Sequence, residues 1–501
     1  YCLLDRLPAT ANGKVDRKAL KDLPVNYKTQ GPRLAPQNAT QAQLLELWSR
    51  LLDLPGPDIS VDDSFFNLGG HSILLSQMLM GIREAFGKGV SINRFIEQPT
   101  LVNLANLIDQ DVEATATVSP QALQDAMLRP ELDVLPISRL GNIHKVIVTG
   151  SNGFLGVHIV EALLELGSTE VACLVRESGG MTAQQRFEDA LIQNRLEHLD
   201  LSRVKVLAAD ISKPRLGLSE HDYEWLDREY GVLIYNAANV NHVLDYESLV
   251  KDNVTPVLEC LQLCEGRSKK IFNFISTLSA SSTVDEQGRV LEEPPAFTPP
   301  IYIRNGYNLS KWVAERILWN ASESGVWVNL YRPGNIAFNT RTGVCQPHQN
   351  RLMLMLKGSL QLKEVPELAL NFDLMPVDFL ARFIAFHASR HNRAKAVFNL
   401  HNPLPLTWAH YLEAFRAAGH DFQMVPVTQW QQRLSAIDSD NALFGVVGFY
   451  LNGFEEDIGD ISMIEYRNAL SGIQSMGEDY PAKNSALLQK GCDYLKQIDF
   501  I

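Results

Sequence analysis

Tyr307 and Lys311 stand four residues apart in Tyr307-Asn-Leu-Ser-Lys311. On a helix that spacing puts both side chains on one face. An ammonium beside a phenol favours the phenolate, so Lys311 is expected to draw the Tyr307 pKa down from about 10. Tyr307 then has the means to give a proton to an oxygen on which negative charge develops. Ser276 and Thr277 follow the apolar run Ile271–Ile275. A Thr277 hydroxyl can hydrogen-bond the same oxygen, or merely cap the strand end. The Tyr-Lys pattern recurs by chance in long chains. Its place after the fifth of six candidate strands carries the weight, because open α/β sheets bind ligands beyond the carboxyl ends of their strands.

A second constellation is Gly150-Ser-Asn-Gly153-Phe-Leu-Gly156, set between the candidate strand Lys145–Thr149 and a helix expected from Val157 to Leu166. Glycines at this spacing serve a tight turn, close backbone approach to a pyrophosphate, and helix–strand contact. The helix start adds unpaired N–H groups and the positive end of a dipole. The second strand ends Cys173-Leu-Val-Arg176, where NAD enzymes place an acidic residue for the ribose 2′-hydroxyl. Arginine suits a 2′-phosphate, because its planar fork makes charge-assisted hydrogen bonds. Arg186 adds a second positive charge, so NADPH is the expected cofactor.

A third candidate is Ser72, at the end of Asp63-Ser-Phe-Phe-Asn-Leu-Gly-Gly-His71-Ser72 and the start of a candidate helix. A phosphate ester on its hydroxyl would sit by the positive helix end. A plain N-cap is the alternative, and residue types alone do not choose between them.

These groups need a scaffold. A chain of 501 residues exceeds one core, and two to four domains are expected. With 46% apolar and 21% charged residues it has ordinary globular composition. The 45 bases against 58 acids leave a net charge of −13, which argues against nucleic-acid binding. No apolar run reaches the length of a membrane span and no signal-peptide pattern opens the chain. The six cysteines are too sparse for a disulfide framework, and Cys260 and Cys264, four apart, read as core thiols. A reducing cytoplasm is the expected compartment. The chain opens on Tyr1, not Met, and reads as a piece of something longer.

Residues 37–112 read as a small four-helix bundle. Thr40 caps a helix to about Leu54, a second helix runs from Ser72 to about Phe86, a short piece lies near Ser91–Ile96, and a last helix spans Leu101–Ile108. Nine acids against four bases make this segment acidic, which suits docking to positive surfaces or simple solubility. Residues 113–140 read as a linker. From 141 to 339, strands at Lys145–Thr149, Val171–Val175, Val204–Ala208, Val232–Tyr235, Ile271–Ile275 and Val326–Tyr331 alternate with helices, the signature of a doubly wound parallel sheet. Residues 340–501 are expected to form a separate, mixed, mostly helical subdomain that recognises the substrate.

The glycine loop, Thr277, the Tyr307/Lys311 pair and Arg332-Pro333-Gly334 together resemble the extended short-chain dehydrogenase/reductase family, with its Rossmann sheet. The stretch Phe372-Asp-Leu-Met-Pro-Val-Asp-Phe379 resembles one common in that family's terminal reductase branch. The resemblance implies catalytic roles for Thr277, Tyr307 and Lys311. It implies cofactor contacts from Gly150, Asn152, Gly153, Phe154, Leu155 and Gly156. Further contacts fall on Arg176 and Arg186, on Asp210 and Ile211, on Asn236, Ala237 and Ala238, and on Pro333, Gly334 and Asn335. The segment around Ser72 resembles the carrier protein of nonribosomal peptide synthetases, which implies 4′-phosphopantetheine on Ser72. The opening Leu7-Pro-Ala-Thr-Ala-Asn-Gly-Lys14-Val-Asp-Arg-Lys18 resembles the last motif of adenylation domains. Without the rest of such a domain, residues 1–31 read as its remnant and Lys14 as idle.

Carrier followed by reductase resembles the terminal module of a nonribosomal peptide synthetase or a related carboxylic acid reductase. The implied function is NADPH-dependent reductive release of a carrier-bound acyl, aminoacyl or peptidyl thioester as an aldehyde, with a second reduction giving an alcohol. The implied partners are upstream adenylation and condensation domains and a phosphopantetheinyl transferase. Two alternatives stay open: an enzyme like the nucleotide-sugar epimerases and dehydratases, and a non-catalytic docking module for the carrier.

Overall fold

Apolar side chains recurring at helical spacing make the segment around Trp48 an amphipathic helix. In the computed structural model it runs Ala39–Leu52. Described residues are 34–65, 67–69, 74, 78, 81–82, 85–86, 90, 95, 98–109, 118–241, 244–300, 305–369, 371, 373–404, 406–434, 437, 440–444, 450 and 463–501. They divide into two units, one within residues 1–115 and one within 116–501.

In the first unit the cap of helix Ala39–Leu52 is Asn38, not Thr40: the Asn38 side chain accepts from the Gln41 N–H at 2.8 Å. Thr40 lies inside the first turn, and its hydroxyl donates instead to Asp109. A second helix spans Leu101–Asp109, and Leu74, Met78, Gly81, Ile82, Ala85 and Phe86 are helical. Trp48, Phe65 and Phe95 form the aromatic centre of the core, with the Trp48 and Phe65 rings 5.1 Å apart. Ser72, His71, Gly70 and residues 1–31 lie outside the described residues.

In the second unit the strands are β1 Asn142–Thr149, β2 Glu170–Val175, β3 Val204–Ala208, β4 Tyr230–Tyr235, β5 Ile271–Ile275, β6 Val328–Pro333, β7 Ile336–Ala337, β8 Glu364–Pro366, β9 Met375–Pro376, β10 Val397–Leu400 and β11 Gln423–Val425. Seven of them form one parallel sheet in the order β10-β6-β5-β4-β1-β2-β3. Its strands β4, β5, β6 and β10 are buried on both faces, as helices on both sides require. Val146 and Val148 of β1 join one core with the helices Phe154–Glu165, Ala183–Gln193 and Val377–Ala388. Ile147, between them, joins the opposite core with Thr255–Cys264 and Gly306–Glu323. Cys260 and Cys264 are fully buried there. The chain leaves β1 toward β2 and β3, then crosses back to β4 on the other side of β1. That reversal opens a crevice at the carboxyl ends of β1 and β4.

The boundary drawn at residue 340 does not divide the structure. β10 pairs with β6 as the seventh strand, and Val377–Ala388 packs beneath the sheet on Phe154–Glu165. The buried Asn273 of β5 locks this return in place. Its amide donates to the Ala388 carbonyl at 2.9 Å, and its oxygen accepts from Asn329 and Tyr331. The rest of the C-terminal region has its own core, built around Trp408, Tyr411 and Trp430.

The helix Gly306–Glu323 is tied to β6 by a fully buried ion pair, with Arg332 donating to Glu315 through both Nε and Nη2, the latter at 2.6 Å. Removing one partner strands the other as an uncompensated buried charge, whereas replacing both with apolar residues does not. Glu315→Leu should therefore lower the unfolding free energy by about 3–5 kcal/mol, and Glu315→Leu with Arg332→Met should recover most of it. Denaturant unfolding of both variants checks this; a double variant as unstable as the single one would contradict it.

Candidate active site

The crevice is a cleft of about 1140 Å³. Its floor is built by tying two loops together. Thr149, the last residue of β1, accepts through its hydroxyl oxygen from the N–H groups of Asn236 and Ala237 at 3.1 and 3.2 Å. The Asn236 side chain in turn donates to the Gly150 carbonyl. Gly150 takes φ +61°, and a Cβ there would stand 2.8 Å from the Ala237 Cα, so only glycine fits. Gly153 caps the helix Phe154–Glu165 without a side chain, which leaves the first-turn N–H groups for a ligand.

At one end of the cleft Arg176 follows β2, and Arg186 donates to the Arg176 carbonyl. Both guanidinium-bearing residues line the same rim. Asp210 accepts from the Ser212 hydroxyl at 2.7 Å. That bond, aided by Lys213 and Arg176, holds its carboxyl below the usual carboxylate range. At the other end Thr277 follows β5, while Tyr307 and Lys311 rise from the first turns of Gly306–Glu323. Lys311 donates to the Ile275 carbonyl at 2.8 Å and lies 4.7 Å from the Phe274 ring centroid. Burial pushes its pKa down to about 7, with Glu315 opposing the fall.

The expectation that Lys311 draws the Tyr307 pKa down is not met. Burial raises the Tyr307 phenol above its ordinary value, while the Lys311 amine donates to the Ile275 carbonyl. Tyr307 therefore stays a protonated phenol at neutral pH. That suits a hydrogen-bond and proton donor.

The cleft brings together every predicted cofactor and catalytic residue of this unit except Gly156 and Asn335. Gly156 packs against the loop instead: a Cβ on it would fall 2.2 Å from the Gly150 carbonyl oxygen. The Asn335 backbone and side chain both donate to Asp373. The sequence reading missed a polar relay behind the site. Asn239 donates to Asp252 and, through its backbone N–H, to Asn253. Asn253 donates to the Ser310 hydroxyl at 2.9 Å, and Ser310 donates to the Tyr307 carbonyl at 2.7 Å. No spacing in the sequence links Asn253 to Ser310; only the packing of the two helices does. It also missed Gln346, which lines the cleft from the C-terminal region.

The cleft can hold a dinucleotide: an uncapped helix start for the phosphates, two arginines at one end, and a phenol, a hydroxyl and an amine at the other. Among the described residues, no helix is long and apolar enough to cross a membrane.

Comparison with known proteins agrees with this arrangement. Residues 42–108 match the phosphopantetheine attachment site family, and residues 148–384 match the family described as male sterility protein, an NAD-binding domain. The chain is 28% identical over 530 residues to isonitrile lipopeptide synthase of Streptomyces coeruleorubidus, covering 98% of this chain and 35% of that one. It is 26% identical to L-2-aminoadipate reductase of Saccharomyces cerevisiae, covering 94% of this chain and 37% of that one. The chain thus spans well under half the length of these relatives. Among solved structures, the terminal R domain from the myxalamid biosynthetic pathway superposes with a TM-score of 0.66 at 25% identity, over 76% of this chain and 98% of that one. A thiolation-reductase di-domain from an archaeal non-ribosomal peptide synthetase gives 0.70 at 21% identity, over 94% of this chain and all of that one, a likeness of fold. The chain therefore carries a segment matching a phosphopantetheine attachment site at residues 42–108, followed by one matching an NAD-binding domain of the male sterility type at residues 148–384.

Proposed function

We propose that this chain reductively releases an acyl, aminoacyl or peptidyl group, carried as a thioester on 4′-phosphopantetheine at Ser72, as an aldehyde. The observation that carries this reading is the single cleft with Arg176 and Arg186 at one end and Thr277, Tyr307 and Lys311 at the other. NADPH held between these residues would supply the hydride for the thioester carbonyl. The uncapped start of Phe154–Glu165 binds its phosphates, and the two arginines favour a 2′-phosphate over a bare ribose. Tyr307 and Thr277 hydrogen-bond the carbonyl oxygen as it gains negative charge, and Tyr307 provides the proton; the C–S bond of the resulting hemithioacetal then breaks, freeing the aldehyde and leaving the thiol on the pantetheine. Lys311, held by Ile275, orients the site from behind. Reduction of the aldehyde to an alcohol uses the same groups. Tethering the substrate to the same chain makes delivery intramolecular.

Upstream adenylation and condensation domains would load the carrier, after a phosphopantetheinyl transferase has modified Ser72. A reducing cytoplasm suits Cys173, Cys260, Cys264, Cys345 and Cys492, all buried and free.

Tyr307→Phe keeps the ring and removes the proton. NADPH oxidation with a pantetheinyl or coenzyme A thioester should fall about a hundredfold or more, with the fold intact by circular dichroism. An undiminished rate would refute Tyr307 as the donor. Arg176→Ala should raise the KM for NADPH about tenfold or more, the worth of one charge-assisted hydrogen bond, and leave that for NADH nearly unchanged. Steady-state kinetics with both cofactors checks this, and equal shifts would contradict the 2′-phosphate assignment.

A further inference from the structure

Substrate recognition is expected of residues 340–501, yet of that whole span Gln346 alone lines the cleft among the described residues. Its loop is pinned from several directions. Thr340 bonds Asp378 through its backbone N–H and its hydroxyl. Arg341 pairs with Glu161 on the helix Phe154–Glu165. The Asn339 side chain accepts from the N–H groups of Arg341 and Thr342 at 2.9 and 3.1 Å. Lys490 donates to the Thr340 carbonyl. Gly343 takes φ +72°, where a Cβ would stand 2.3 Å from the Lys490 carbonyl oxygen. Val344 and Cys345 are buried in the C-terminal core.

This pinned loop brings one half-buried glutamine, Gln346, to the wall of the cleft. Gln346 begins a short turn of helix, Pro347–Gln349, but its side chain does not cap it. Of the other amides on the cleft, Asn236 is committed to the Gly150 carbonyl and Asn239 to Asp252, while Asn152 belongs to the glycine loop and Gln193 to the helix that carries Arg186. A carboxamide carries one acceptor and two donors and no charge. It is a poor partner for phosphates, which the helix start and the arginines already serve, and a good partner for another amide. Holding it on a pinned loop lowers the ordering cost of that bond.

We propose that Gln346 is a specificity-determining residue, whose side-chain amide pairs with an amide of the thioester chain and so favours amide-bearing thioesters over plain alkyl ones. This rests on the reductive-release reading. The one other source of an amide in the same cleft is the nicotinamide carboxamide, and the test separates the two.

The experiment compares wild type with Gln346→Ala and Gln346→Leu in the full chain. It measures the KM for NADPH, kcat/KM for an N-acetylcysteamine thioester, which has an amide two carbons from sulfur, and kcat/KM for the matching ethyl thioester, which has none. The variants should lose about tenfold in kcat/KM for the amide-bearing substrate, the worth of one hydrogen bond. The ethyl thioester and the NADPH constant should hold. Gln346→Asn should recover part of the preference, and unchanged melting temperatures show that the fold is intact. A shift in the NADPH constant instead, an equal loss on both thioesters, or no loss on either would overturn the assignment. Failure of wild type to oxidise NADPH with any thioester would instead defeat the reading on which it rests.

Discussion

The helix Gly306–Glu323 is buried along nearly its whole length, charged residues included, and the chemistry of the cleft depends on how that burial is made tolerable. Glu315, Lys311 and Arg316 all face the interior. Glu315 is neutralised by Arg332 of β6. Lys311 finds the Ile275 carbonyl at the end of β5. Arg316 donates to the Pro295 carbonyl and to Asn320. Apart from the Arg316–Asn320 bond, which stays within the helix, these bonds run to three different neighbours, β6, the end of β5 and the Pro295 loop, and so also fix the helix in translation and rotation. The Tyr307 backbone gains a further tether through Ser310 and Asn253. The desolvation that makes such pairs costly also raises the pKa of the Tyr307 phenol and lowers that of the Lys311 amine.

The cleft is polarised along its length. At one rim two arginines stand close together on a chain whose overall charge is −13. At the other, apolar Ile275 and Ile336 share the wall with Ser276, Thr277 and Tyr307. The two arginines give their rim a local positive charge, shared with Asp189 and Asp210, that can attract a small polyanion. On the proposed reading, this division lets one cavity hold a charged cofactor and an uncharged thioester end to end.

Much of this was legible in the sequence, because it depends on local pattern. The strands from β1 to β6 announce themselves as short apolar runs, and β3 and β5 have the expected bounds. The glycine loop and the pair four residues apart need no tertiary knowledge to be seen. What escaped was tertiary. β10 has four residues, too few to show a period, and its place beside β6 depends on Asn273 and the helix Val377–Ala388. Asn38 and Thr40 both suit a cap, and only the register of the first turn chooses Asn38. The direction of the Tyr307 pKa shift turns on burial, which no spacing reports. Gln346 carries no motif, and its significance lies in the loop that aims it.

The most direct test is a single turnover on the carrier itself. The chain is loaded at Ser72 with an acyl-pantetheine, given NADPH in the absence of any free thioester, and followed by intact-protein mass spectrometry with product analysis. The account predicts that the acyl mass is lost from Ser72, that the pantetheine stays, and that the acyl group appears as aldehyde with one NADPH consumed per group released, or as alcohol with two. Release as free acid without NADPH consumption, or an acyl group that stays on Ser72, would contradict it.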